Sequence, residues 1–316
     1  EKNNELEEKN NELEEKNKIL LNKLEDIIFE IKNLNKVTEV LNDKDESIDE
    51  ELDYFKFTLS KLNKPAIQKN ESRIENEKIN GEFQENPKLA LNQYGIDYFE
   101  FENRFRGSCK KIKETQAIYL KYFNGKANIL DIGCGRGEFL ELLKENNISA
   151  KGIDVCKDFV DYCEYKKLDA LLDDAVSHIS KVNDNSIGGV FMSQVAEHLE
   201  TEYLIELISK IYDKLENGAY FIAETPNPTM LSTFSNSFYL DPSHKNPVHP
   251  ETFKFILEKA GFKEIEIVYT DSSKIQYNLP LLDGSNINNL EEFNNGVNLL
   301  SGLLFGSQDY AIIARK

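Results

Sequence analysis

From Ala127 onward the apolar positions come in short runs separated by longer stretches with helical spacing. Runs at 127–132, 150–155, around 168–172, 187–195 and 219–224 are nearly continuous, as strands buried on both faces require. Apolar residues recur three and four apart in the stretches between them, which predicts a helix after each strand. "FKEIEIVYT" and the terminal "DYAIIARK" add two strands. The alternation predicts an α/β domain, a doubly wound and mostly parallel sheet with its ligand at the carboxyl ends of the strands.

Three other patterns surround this core. "YGIDYFEFENRFRGSCKKIKETQAIYLKYF" is aromatic-rich at helical spacing, predicting a helical cap over 92–126 that packs on the sheet domain. Residues 275–305 separate the last two strands with "YNLPLLDG" and an amphipathic "LEEFNNGVNLLSGLLF", an insertion suited to covering an acceptor or to a dimer surface. At the chain start Leu6, Leu13, Leu20, Ile27, Leu34 and Leu41 are seven apart. Taken as d positions, they place Asn3, Asn10, Asn17, Leu24, Ile31 and Thr38 at a. That repeat predicts a coiled coil over 1–44, and Asn at a favours a parallel dimer, hence a homo-oligomer. Residues 45–91 read as an acidic linker with one short amphipathic helix at "LDYFKFTLSKL", leaving 92–316 as the globular domain.

Composition narrows the function. A net charge of −18 repels a phosphate backbone, so no nucleic acid partner is expected. No apolar run approaches the ~20 residues that span a bilayer, and the first residues do not form a signal peptide, so a cytoplasmic protein is expected. The four cysteines show no CxxC pairing and no metal-like spacing with histidine; reduced thiols and no metal are expected.

The chemistry concentrates in "ILDIGCGRGEFLELL", residues 129–143. Asp131 ends the first strand; Gly133, Gly135 and Gly137 form a turn around the small Cys134; a helix follows. The glycines allow a ligand close to the backbone, and the helix start offers unpaired N–H groups. The spacing is GxGxG, neither the GxGxxG of dinucleotide sites nor the GxxxxGK[ST] of triphosphate loops. Asp131 and Glu138 flanking the turn would oppose a pyrophosphate but suit a ligand carrying an ammonium and a sulfonium, as S-adenosylmethionine (SAM) does. Asp154, seventeen residues past Gly137, can accept both ribose hydroxyls, and Asp173 or Asp174 after the third strand could meet the adenine amino group.

With DIGCGRGE, GID, DDA and "GGVFMSQVAEHL" the sequence resembles the class I SAM-dependent methyltransferases. "FENRFRGS", "ETPNP", "FYLDPSHKNPVHPE" and "QDYAIIARK" resemble, more narrowly, the methyltransferases encoded with surface-polysaccharide genes, such as those that cap O-antigen chains. The resemblance covers roughly 92 to 316. It implies a seven-stranded sheet with an antiparallel last strand, and SAM held around Asp131–Gly137, Asp154, Asp174–Ala175 and Gln194. The coiled coil departs from the minimal family domain, so the resemblance assigns it no role.

Methyl transfer is an in-line displacement in which the protein mostly aligns the acceptor and removes water. A sugar hydroxyl also needs its proton taken, whereas a phosphate or carboxylate does not. Histidine suits that task near neutrality. His198, His244 and His249 lie after the fourth and fifth strands; His178 reads as structural. His244 is the base candidate, with Asp241 or Glu197 as its orienting partner, and His198 is a further catalytic candidate. The Pro-rich segment 229–250 would shape an acceptor wall carrying Tyr239 and His249, with Asn227 just before it. Of only five arginines, Arg104 and Arg106 could bind the SAM carboxylate or an acidic glycan group bidentately, Arg106 toward the cofactor and Arg104 toward the acceptor. Surface pairing with Glu100 and Glu102 is the plainer alternative, and Arg136 is expected to pair with Glu138.

The leading function is methyl transfer from SAM to an oxygen of a cell-surface glycan or its precursor. Alternatives are a methyltransferase of a small molecule or a quinone or lipid intermediate, and a coiled-coil scaffold that recruits glycosyltransferases around a vestigial catalytic domain.

Overall fold

The computed structural model describes residues 16, 20, 23, 48, 50, 52–61, 97–275 and 277–316. The predicted coiled coil and most of the linker lie outside them. The chain divides into two units, Glu1–Asn63 and Lys64–Lys316. In the first, residues 52–61 are helical, with Phe57 buried while Leu52, Phe55 and Leu59 stay exposed.

The second unit opens with α1 (Tyr98–Phe105), α2 (Cys109–Gln116), a 3-10 turn (Ala117–Tyr119) and α3 (Leu120–Phe123). The expected cap is therefore several short helices. The break falls at Gly107, whose φ of +92° ends α1, and at Ser108, whose side chain caps α2 by accepting from Lys111 N. Then follow β1 (Ile129–Ile132), α4 (Glu138–Glu145), β2 (Ala150–Asp154), α5 (Lys157–Tyr165), β3 (Ala170–Leu172), α6 (Ala175–Lys181) and β4 (Ile187–Ser193). After a 3-10 turn (Ala196–His198) come α7 (Thr201–Lys214), β5 (Leu215–Pro226), α8 (Leu231–Asn236), α9 (Pro250–Ala260), β6 (Lys263–Tyr269), α10 (Leu290–Leu304) and β7 (Asp309–Arg315).

The seven strands lie in the order β3-β2-β1-β4-β5-β7-β6. All pairs are parallel except those of β7, which is antiparallel to both β5 and β6. β5 runs past its apolar core 219–224 at both ends: β7 continues its ladder to Pro226, and Leu215 pairs with Ile187 of β4. Side-chain alternation sorts the core into two layers. Leu130, Val190, Phe221 and Ile312 face α7 and α9, which contribute Leu204, Leu207, Phe253 and Leu257. Ile129, Phe191, Ile222 and Ile313 face the other way, onto Tyr119, Phe123, Phe139 and Leu143. By the same parity Asp131, Glu224 and Asp309 belong to this second face, under the helical cap.

The insertion between β6 and β7 leaves and returns at one point, where Lys274 bridges to Ser307. It holds α10, of whose residues only Ser301 is buried. Among the described residues no helix is long and apolar enough to cross a membrane.

Candidate active site

β1 delivers the glycine turn to the carboxyl edge of the sheet. Gly133 and Cys134 donate their N–H groups to the Ile153 carbonyl of β2, at 2.8 and 3.1 Å, which locks the turn against the neighbouring strand. Gly133, Gly135 and Gly137 all have positive φ, and at Gly133 and Gly137 there is no room for a side chain. A Cβ on Gly133 would lie 2.4 Å from Val195 Cγ2, and one on Gly137 would lie 2.7 Å from Leu168 Cδ1. Asp154 Oδ2 accepts from Gly135 N at 3.0 Å and its Oδ1 from Cys156 N at 2.8 Å, so the end of β2 and the turn are one rigid piece.

Three buried acids surround this turn: Asp131, Glu138 and Asp154. Burial raises the Asp131 carboxyl to about 8, with Glu138 adding to the effect and Arg106 opposing it. Burial also opposes the charge on Glu138, but Arg136 and Arg106 outweigh it and hold this carboxyl below its usual range. Arg136, itself buried, donates Nε to Glu138 at 2.7 Å, Nη1 to Asn103 at 3.0 Å and Nη2 to the Gly107 carbonyl at 3.0 Å. It fastens the cap to the turn.

Beside the turn, a cavity of about 530 Å³ opens at the ends of β4 and β5 and the start of β7. Its wall includes Phe101, Phe105, Ile112 and Leu240, with the carboxylates Glu102, Glu224, Asp241 and Asp309. Glu224 and Asp309 stand diagonally across the β5–β7 ladder, where Pro226 opposes Asp309. Burial and the nearby Asp309 raise Glu224 to about 7, although it accepts hydrogen bonds from Tyr119 and Ser193. Gln116, on the cap, lines the same space, and its Oε1 is buried with no hydrogen-bond partner among the described residues. Gln194 adopts φ +56°, a costly conformation for a non-glycine residue at a site edge, and donates Nε2 to Asp309 at 3.3 Å.

One side of the cavity carries two histidines. The His198 and His244 rings meet edge to face with centroids 4.7 Å apart. His244 Nδ1 lies 2.7 Å from the Phe238 carbonyl, while its Nε2 lies 3.8 Å from Glu197 Oε1 and 3.9 Å from Asp241 Oδ2. Asp241 is held in turn: Tyr98 Oη donates to its Oδ2 at 2.7 Å, and Ser243 N and Oγ donate to its Oδ1 at 2.7 and 2.6 Å.

A methyltransferase-domain profile matches residues 101–267. A SAM dependent methyltransferase from Archaeoglobus fulgidus is 42% identical over 70% of this chain and 100% of its own, with a TM-score of 0.65. The chain belongs to the SAM-dependent methyltransferases. The Thermotoga maritima SAM-dependent methyltransferase described as a possible histamine N-methyltransferase is 14% identical over 72% of this chain and 99% of its own, with a TM-score of 0.48. The Haemonchus contortus phosphoethanolamine N-methyltransferase 2 is 17% identical over 70% of this chain and 60% of its own, with a TM-score of 0.46. No curated protein matches the sequence.

SAM is the cofactor of this methyltransferase, and the residues fit it. The glycines let the turn pack closely on Val195 and Leu168 at the sheet edge, where the helix start offers N–H groups, and the buried acids around it suit a cation. Of the expected cofactor residues, the sheet edge brings Asp131, Gly133, Cys134, Gly135, Gly137 and Asp154 together. Arg106 joins them, its Nη1 3.2 Å from where a Cβ on Gly135 would lie, and it also lines the cavity while pairing with Glu102 at 2.7 Å. Asp174 and Ala175 start α6. The Asp174 side chain caps that helix through Ser177 N and accepts from Tyr203 Oη, at 2.9 and 2.6 Å.

The expected catalytic residues Glu197, His198, Asp241 and His244 do converge. The partner orienting His244, however, is the Phe238 carbonyl rather than Asp241 or Glu197, which face its other nitrogen. The expected acceptor residues do not gather at the cavity. Arg104 is exposed, with its guanidinium over the Phe105 ring. Tyr239 is 73% exposed. His249 caps α9, accepting from Glu251 N. Asn227 is buried, donating to the Ser307 carbonyl and accepting from Thr229. In their place stand Gln116, Glu224 and Asp309. Acids breaking the apolar runs "FIAETP" and "DYAIIA" are the signal that marks two of these.

Proposed function

We propose that this methyltransferase transfers a methyl group from SAM to a hydroxyl oxygen of a cell-surface glycan or its precursor. The observation that carries this reading is the cavity wall, where, among the described residues, four carboxylates and two histidines stand against Arg106 and Lys111 as fixed cations. Such a lining repels a phosphate or carboxylate acceptor and favours a neutral polyhydroxyl one. Carboxylates and the Gln116 carbonyl accept from hydroxyl groups, and the aromatic faces of Phe101 and Phe105 suit the apolar side of a sugar ring.

SAM supplies an electrophilic methyl carbon on a sulfonium. The chain's own residues do the rest: the glycine turn and Asp154 hold the cofactor, and the cap excludes water. The Glu197–His198–Asp241–His244 cluster receives the acceptor hydroxyl and promotes the loss of its proton. A small-molecule acceptor is the second reading, favoured by the cavity's modest volume. The heptad repeat supports a dimer that brings the enzyme to glycosyltransferases. Mass spectrometry of the source cell's surface polysaccharide, with and without this protein, tests the first reading: the mass of one methylene is lost without it. An unchanged polysaccharide overturns it.

A further inference from the structure

We infer that Glu197, His198 and His244 form a divalent-metal site in the wall of the acceptor cavity, selective for an ion of the zinc, manganese or iron class. The inference deepens the hydroxyl-acceptor reading and rests on it for what the ion does. The site itself rests on geometry.

Each of the three side chains offers a ligand atom, and these atoms lie within 4.8 Å of one another. A metal about 2.1 Å from each donor needs donors roughly 3–3.5 Å apart, and His244 Nε2 already lies 3.8 Å from Glu197 Oε1. Binding an ion draws the donors of the set, within 4.8 Å of one another, closer together.

The hydrogen bonds behind the cluster fix which atoms face it. A carbonyl oxygen only accepts, so His244 carries a proton on Nδ1, facing Phe238 O, and in the neutral ring it is Nε2 that presents the lone pair to the cluster. His198 Nδ1 faces the Ser243 carbonyl at 3.2 Å and Ser243 Oγ at 3.0 Å. The Oγ proton is committed to Asp241 Oδ1, so both oxygens accept from His198, and its Nε2 also carries the lone pair. Histidine held through one nitrogen by a carbonyl, with the other turned inward, is how metal ligands are oriented. Glu197 is fully buried, and Thr225 Oγ1 donates to its Oε2 at 2.8 Å, which sets Oε1 toward His244. Two imidazoles and one carboxylate suit a borderline transition metal rather than magnesium or calcium.

The site also has an open side. His198 and His244 both line the cavity, so three protein ligands leave positions for an acceptor oxygen, as in catalytic rather than structural metal sites. An ion there lowers the pKa of a hydroxyl bound to it, which eases loss of its proton. In the transfer the acceptor oxygen–carbon bond forms as the sulfur–carbon bond breaks, and the hydroxyl proton leaves to water.

The test uses the full, untagged chain stripped with a chelator and titrated with Mn²⁺ or Zn²⁺ alone, followed by electron paramagnetic resonance or calorimetry, with SAM binding measured in parallel. One ion per chain is expected. His198→Ala, His244→Ala and Glu197→Gln each weaken its binding at least about tenfold while SAM affinity is retained, and His178→Ala changes neither. Wild-type protein binding no more metal than the His198→Ala/His244→Ala double variant overturns the inference, as does chelator-insensitive methylation of a hydroxyl acceptor. Metal bound at these residues with no change in the polysaccharide supports the site and overturns the glycan reading instead.

Discussion

Single residues set the ionisation of the site. Glu224 sits near 7 against an ordinary 4.5, because of burial first and Asp309 second. Its folded state therefore prefers the protonated form: the stabilisation is fully present below 4.5 and is lost as pH rises through about 7. Glu224→Gln is expected to remove that dependence, so that in thermal denaturation the variant melts above wild type at pH 8 and not at pH 4. Asp131, raised to about 8, gives the opposite trend in binding. A cationic ligand beside it favours the ionised form, so SAM affinity measured by calorimetry is expected to rise from pH 6 to pH 9 and to lose that slope in Asp131→Asn. At Gly133 the geometry leaves no alternative: with φ +69° and Val195 Cγ2 in the way, Gly133→Ala is expected to weaken SAM binding by tenfold or more, on the order of 1.4 kcal/mol.

At the scale of elements, the cap is tied to the sheet by polar contacts as much as by packing. Arg136 reaches from the glycine turn to Asn103 and Gly107, and Tyr98 reaches from α1 to Asp241. Lysine can replace only part of a three-way guanidinium bond. Arg136→Lys is therefore expected to cost roughly 2 kcal/mol in urea denaturation and to raise the KM for SAM, by loosening α1 over the turn. The strands and the helices between them were legible because buried parallel strands must be nearly continuous apolar runs. The break at Gly107 and the length of β5 were not, since a cap residue and a partner strand decide them.

For the whole molecule, the heptads predict assembly. Sedimentation equilibrium of the full chain is expected to give two chains per particle, and a monomer would remove the dimer proposal. The topology also explains which site residues could not be read along the chain. β7 enters between β5 and β6, which sets Asp309 beside Glu224, a pair the spacing along the chain does not show; the Pro-rich segment folds back so that the expected His244 meets the expected His198. The acceptor wall expected at Asn227, Tyr239 and His249 rests on sequence proximity to that segment, and the Arg104 expectation on guanidinium chemistry. Burial, capping and exposure send those four side chains elsewhere.

By itself the sequence determined the α/β alternation, the glycine turn with its acids at the first two strand ends, and hence SAM. All of these are local patterns, written in a period of two, a period of 3.6 or a fixed short spacing. Only the tertiary structure decided the anionic cavity, the raised carboxyls and the convergence of Glu197, His198 and His244. Those depend on contacts between distant segments and on burial, and a spacing along the chain encodes neither.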